Sequence, residues 1–389
     1  MAVQGHATRQ DDDRPKGERL MQVAFRTDAS LQIGTGHVMR CLTLADALLE
    51  HGAQSTFICR PHAGHWLDLI QQCGHTAIAL APADDAYTAP ADPCHAKWLG
   101  TDWANDAAQT QQTLGEQVVD WLVVDHYALD RRWEQAMRPH TRRIMAIDDL
   151  ADRPHDCDLL LDQNLGCQTK DYGGLISRHT QMLIGPTYAL LRAEFAQWRE
   201  HSLRRRAQPQ LKNLLITMGG VDQANATCQV LDALTRCELP AELRITVVMG
   251  STAPWLAQVQ AQATTMPRPT QVQVAVNNMA QLMAESDLCI GAAGSTSWER
   301  CCVGLPALQL VLAANQKEIN AALESAGAVL TVQHGKLLAQ LPSVFAKVTI
   351  STVLGALSEN ASVVCDGLGA TKIVQCLENV IHEDNSALH

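Results

Sequence analysis

The chain has 389 residues, 47% of them hydrophobic, 18% charged and only 4% aromatic, with a formal net charge of −11. That length exceeds what one hydrophobic core normally serves, so two domains are expected. The acidic balance excludes an extended nucleic-acid-binding face, which would need clustered Lys and Arg.

The first 20 residues carry Asp11-Asp12-Asp13 and Arg14-Pro15 without an apolar segment, and read as a disordered leader. No apolar run reaches the roughly 18 residues of a membrane span, and no secretory signal is evident, so a cytoplasmic protein without membrane partners is expected. Thirteen cysteines, an odd count without a Cys-x-x-Cys pair, read as reduced core residues rather than a disulfide framework or a structural zinc site.

From residue 21 to 190, short apolar runs (22–25, 56–59, 77–80, 121–124, 144–147, 159–161, 182–184) alternate with helical patterns, which predicts βα units and a mostly parallel sheet. After the first run, Val38, Cys41, Leu42, Ala45, Leu48 and Leu49 mark one helical face, with Gly52 as its stop. Residues 191–212 are charged, include Arg204-Arg205-Arg206, and read as a linker. A second series of runs (214–217, 245–248, 272–276, 288–290, 307–311) follows, with helices predicted over 225–237, 279–285, 295–303, 315–326 and 368–381. The expected fold is therefore α/β, with two Rossmann-like domains, 21–190 and 213–389, facing each other across a cleft.

Three strand-to-helix turns hold the candidate chemistry. In Ile33-Gly34-Thr35-Gly36-His37, a histidine stands in the first helical turn, where the positive end of the dipole disfavours an imidazolium. A neutral ring at a cleft can accept a proton from water. Gly34-x-Gly36 does not extend to a dinucleotide fingerprint, because Met39 takes the last glycine position and no acidic residue closes the second strand. Met218-Gly219-Gly220-Val221-Asp222 could expose amides to a pyrophosphate, or could be a structural tight turn. Gly291-Ala292-Ala293-Gly294-Ser295-Thr296 opens another helix, with Ser295 as an N-cap. Glu299 in that helix could accept from ribose hydroxyls or simply complement the dipole. Asp148-Asp149 reads as a polar loop with a cap, the alternative being a metal site.

These blocks together resemble one family: the UDP-2,4-diacetamido-2,4,6-trideoxy-β-L-altropyranose hydrolases of pseudaminic acid biosynthesis, which serves flagellin glycosylation. The resemblance rests on Phe25-Arg26-Thr27-Asp28-Ala29-Ser30, the stretch Ile33 to Cys41, Val124-Asp125-His126-Tyr127, Asp148-Asp149 and Cys157-Asp158-Leu159-Leu160-Leu161. It continues through Gly185-Pro186-Thr187-Tyr188-Ala189-Leu190-Leu191-Arg192, Met218 to Asp222 and Ser286 to Asn320, whereas residues 336–389 match no motif. It implies the two-Rossmann fold of GT-B glycosyltransferases, His37 as general base beside Gly36, and UDP held by the second half. Gly219, Gly220, Ser295 and Thr296 would lie near phosphates, Glu299 on ribose, Asn315 and Gln316 near sugar or diphosphate, Tyr188 and Arg192 in the same cleft, and Asp222 would be a further substrate-binding residue. The implied reaction uses a UDP-sugar and water as its only partners, inverts the anomeric carbon and needs no metal or other cofactor; a monomer is expected. A UDP-sugar glycosyltransferase and a non-catalytic nucleotide-sugar binding protein are the alternatives.

Overall fold

The computed structural model describes residues 20–84, 86–314 and 316–386, so the expected leader, apart from Leu20, and Asn315 lie outside the described residues. Seven parallel strands form the first sheet: β1 (Gln22–Thr27), β2 (Gln54–Cys59), β3 (Thr76–Ala79), β4 (Val119–Asp125), β5 (Thr141–Ile147), β6 (Leu159–Asp162) and β7 (Gln181–Ile184). Their spatial order is β3-β2-β1-β4-β5-β6-β7. The second sheet holds β8 (Asn213–Thr217), β9 (Arg244–Met249), β10 (Thr270–Val274), β11 (Leu288–Ala292), β12 (Ala307–Leu310) and β13 (Val329–Val332), ordered β10-β9-β8-β11-β12-β13 and again parallel.

Both sheets are covered on two faces, which is why their strands read as continuous apolar runs. In β1, Val23 and Phe25 enter one core while Ala24 enters the core on the opposite face. In β8, Leu214 and Ile216 divide from Leu215 in the same period of two. The two Rossmann-like α/β units expected from the alternation are thus present.

In each sheet the strand order reverses between the first and fourth strands, β1/β4 and β8/β11, and ligands of open α/β sheets bind at the carboxyl ends beside that point. The loops after β1, β4, β8 and β11 are therefore the ones placed for chemistry.

The domain boundaries differ from expectation in two ways. The predicted linker 191–212 is mostly a helix, Ala193–Arg206, which buries Phe195 and packs against the second sheet's helices. Its basic run is only partly solvated: Arg206 donates to Val303 O and Met283 O, and Arg205 pairs with Asp287, leaving Arg204 exposed.

Nor does 213–389 close on itself. The helix Gly369–Ser386 returns to the first lobe, where Ala370, Ile373, Val374 and Leu377 join the core beneath the helix Gly36–Glu50, and Trp121 Nε1 donates to Leu377 O. Gly369 sits where this returning segment meets the outgoing one; a Cβ there would overlap the backbone of Tyr188 and Ala189. Among the described residues no single helix is long and apolar enough to cross a membrane.

Candidate active site

The helix Gly36–Glu50 starts where the loop after β1 is pinned by the Ser30 hydroxyl, which accepts from Gln32 N and Ile33 N, and by Gly34 at φ +81°. Val38, Cys41, Leu42, Ala45 and Leu48 are buried as expected, whereas Leu49 falls outside the stripe and is exposed. His37 is thereby held at the mouth of β1, in the first turn.

Its Nδ1 lies 2.6 Å from Oδ1 of Asp125, the last residue of β4. Arg40, one turn further along the same helix, grips both oxygens of that carboxylate through Nε and Nη2, each at 2.6 Å, and reaches Asp149 Oδ2 at 2.9 Å. Burial alone would push the Asp125 carboxyl up, but Arg40 and His37 outweigh it and hold the group well below the usual carboxylate range. An ionised Asp125 fixes the tautomer with hydrogen on Nδ1 and leaves Nε2 as the basic nitrogen. Among the described residues Nε2 has no hydrogen-bond partner, and the ring, 8% exposed and edge-on to Tyr127 at 4.6 Å, lines a cavity of about 170 Å³. His37 is mostly enclosed, yet it faces open space in the gap between the lobes.

That cavity continues into a larger one of about 340 Å³, the two sharing Gly36, Arg40, Gln163, Gly294, Ser295, Trp298 and Gln316. Gly219, Gly220, Thr296, Glu299 and Arg192 also line the larger one. A methyl group added at Gly36, Gly219 or Gly220 meets no protein atom within 4 Å, and Gly219 takes φ +87°. The Glu299 carboxyl is pushed up to about 7 by burial, against the opposing pull of Arg192 and Arg300. Arg192 Nη2 stands 3.9 Å from Glu299 Oε1 and 3.0 Å from Glu194.

Eight expected binding residues therefore meet in one cleft with His37: Gly36, Arg192, Gly219, Gly220, Ser295, Thr296, Glu299 and Gln316. Two others do not. Tyr188 packs on the first lobe's core at the crossing with Gly369 and is not among the residues that line either cavity. Asp222 caps the helix Ala226–Leu234, accepting from Ala226 N and Thr227 N, each at 2.9 Å, so both carboxylate oxygens are engaged. The Gly219-Gly220 turn precedes that helix by several residues, and the helix N-terminus is already served by Asp222. Ser295 occupies the N-cap position of the helix Thr296–Cys302, but its hydroxyl makes no cap bond.

Asp148 and Asp149 divide their roles. Asp148 is a buried anchor bound by Arg153 at 2.8 Å and by loop amides, whereas Asp149 faces the cavity. Three site residues were missed from the sequence: Asp125, Arg40 and Gln163. The available signals were the acidic residue that ends the apolar run 121–124 at Asp125 and the basic residue within the first helix's buried turn at Arg40.

Residues 213–351 match the glycosyltransferase family 28 C-terminal domain. Among curated proteins, the UDP-2,4-diacetamido-2,4,6-trideoxy-beta-L-altropyranose hydrolase of Campylobacter jejuni is 28% identical over 276 residues, 71% of this chain and 86% of that protein. Among solved structures, MurG of Acinetobacter baumannii superposes with a TM-score of 0.66 at 16% identity, covering 93% of this chain and 100% of that one. Anabaena HepE, solved with UDP and glucose, superposes with a TM-score of 0.52 at 12% identity, covering 94% and 100%. Fold and sequence matches together support the resemblance carried by the motifs: the chain is similar to the UDP-2,4-diacetamido-2,4,6-trideoxy-β-L-altropyranose hydrolase and has the two-Rossmann fold of GT-B glycosyltransferases.

Proposed function

We propose that the protein hydrolyses the glycosidic C1–O bond of UDP-2,4-diacetamido-2,4,6-trideoxy-β-L-altropyranose, releasing UDP and the free sugar in pseudaminic acid biosynthesis. The observation that carries this reading is the Asp125–His37 pair, whose ring lines the same continuous cleft as Gly219, Gly220, Ser295 and Thr296. The name of the Campylobacter relative supports the substrate class.

Diphosphate is a good leaving group, so the chief requirement is to offset its growing charge while water attacks from the opposite face. The second lobe meets that requirement with the Gly219-Gly220 turn and the Ser295-Thr296 turn, and Arg192 adds a cation at the cleft wall. Glu299 accepts from the ribose hydroxyls, and Gln316 lies on the sugar side. His37 Nε2 removes a proton from the attacking water, a contribution of about 10² to 10⁴ in rate. Asp125 supports the imidazolium so formed, and Arg40 keeps Asp125 ionised. A single displacement inverts the anomeric carbon.

The test is product analysis by NMR with a panel of UDP-diacetamido sugars and no acceptor. Stoichiometric UDP and free sugar of inverted anomeric configuration are expected. Turnover only after addition of an acceptor alcohol would identify a glycosyltransferase instead, and tight binding without turnover would identify a binding protein.

A further inference from the structure

Outside the cleft, three metal-ligating side chains of different chemistry converge behind its aromatic wall: Cys94, His95 and Asp152. Cys94 Sγ lies 2.9 Å from His95 Nδ1 and 3.8 Å from Asp152 Oδ2, and the donor atoms all fall within 4.8 Å of one another. We propose that this cluster is a binding site for a divalent cation of the zinc class, which clamps the segment around residue 95 to the loop around residue 152.

Two features argue for a prepared site rather than a chance encounter. First, the carboxylate is oriented. Arg153 Nη1 holds Asp152 Oδ1 at 2.9 Å, and Arg153 is itself fixed by Leu129 O at 2.8 Å and Asp148 Oδ1 at 2.8 Å. That leaves Oδ2 turned toward the thiol, the kind of support that orients ligands in metal sites. Second, the imidazole is held by ring contacts, 4.5 Å from Trp98 and 5.2 Å from Tyr127.

The donor set of one sulfur, one nitrogen and one oxygen suits a borderline-soft ion, and thiolate plus carboxylate balance its two charges. Tetrahedral zinc with ordinary bond lengths needs ligand separations of about 3.5 Å. From 2.9 Å and 3.8 Å, the Sγ–Nδ1 gap would open by about 0.6 Å and the Sγ–Oδ2 gap would close by about 0.3 Å to reach that separation, which rotation of the exposed Cys94 side chain can supply. Binding forms metal–sulfur, metal–nitrogen and metal–oxygen bonds, breaks the S–H bond and releases that proton to solvent, with no change in oxidation state. The exposure of Cys94 and Asp152 leaves a fourth position to water. None of the three donors lines the cleft, so the ion takes no part in the displacement there. It ties together the two segments that bring Trp98 and Asp149 to the cavity.

The test is titration of the full chain with Co²⁺ under reducing conditions. A thiolate-to-cobalt charge-transfer band saturating near one equivalent is expected, bleached by Zn²⁺ and absent in Cys94→Ser. Asp152→Asn should weaken Zn²⁺ binding by about tenfold or more. Zn²⁺ should also raise the thermal midpoint of the parent protein in a concentration-dependent way, and leave that of Cys94→Ser unchanged. Unperturbed circular dichroism of Cys94→Ser, an exposed position, keeps the comparison valid. The absence of a band in the parent protein, or an equal band in Cys94→Ser, overturns the proposal.

Discussion

Asp125 Oδ1 and His37 Nδ1 are 2.6 Å apart although 88 residues separate them in the chain. They meet because β1 and β4 are neighbours in the first sheet, and each contributes the residue at its carboxyl end or just beyond it. The parallel order brings an orienting carboxylate to a ring that a helix start has already placed, and the first prediction concerns that ring.

His37→Asn or His37→Leu should lower kcat by at least about a hundredfold, because general-base catalysis contributes that much. UDP affinity should stay within about twofold, since the nucleotide is assigned to the other lobe. Single-turnover rates and UDP calorimetry check the two halves, and activity retained within about tenfold would remove His37 from the mechanism.

Asp125→Asn should also lower kcat by about a hundredfold, by loosening the tautomer and orientation of His37. Unlike the His37 variants, it leaves the buried Arg40 guanidinium short of its main counter-charge, and breaking such a pair costs about 3 kcal/mol or more of folding stability. Denaturant unfolding compared with His37→Asn separates the effects: equal stability of the two variants would contradict the role given to Arg40.

The Glu299 carboxyl, pushed up to about 7 by burial, gives UDP binding a pH dependence of defined sign. Below that value the group is largely protonated and is a poorer acceptor for ribose hydroxyls; above it the carboxylate forms. UDP affinity should therefore rise between pH 6 and 8, beyond the change caused by UDP's own ionisation. In Glu299→Gln that excess should vanish, and in Glu299→Ala affinity should fall by about tenfold, as expected for loss of a hydrogen bond to a charged group. Identical pH profiles for the parent protein and Glu299→Gln would argue against the ribose assignment.

Gly369→Val should destabilise the protein by about 3 kcal/mol or more, because the new side chain would be forced against the backbone of Tyr188 and Ala189. Leu377→Ala, which hollows the core shared with the helix Gly36–Glu50, should cost about 2–5 kcal/mol. Urea midpoints measure both. A Leu377→Ala midpoint equal to the parent's would mean that the returning helix is not anchored in the first lobe.

The sheets were readable because strands buried on both faces leave continuous apolar runs, as at Trp121-Leu122-Val123-Val124 and Leu214-Leu215-Ile216. β13 escaped because Val329–Val332 is short and half-buried, with little to separate it from the preceding helix and glycine turn. The position of His37 and of the glycine turns between a strand and a helix was legible, because a turn-plus-helix pattern is local in the sequence. Asp125 and Arg40 were not, since a strand-end aspartate gains its partner only from strand order, which no local spacing encodes. Asp222 looked like a ligand for the opposite reason: an acidic residue after two glycines has the same local signature whether it faces a nucleotide or caps the next helix. The return of Gly369–Ser386 was illegible because an amphipathic helix carries no mark of which sheet it will cover.

That return makes the first lobe discontinuous, with the second lobe set inside it as an insert bounded by two junctions, near residues 191 and 366. Any graft that exchanges nucleotide-recognition modules with a relative must therefore cut at both places and keep the closing helix with its own partner. A simple tail-end swap would leave Ile373, Val374 and Leu377 facing a surface that did not evolve to receive them.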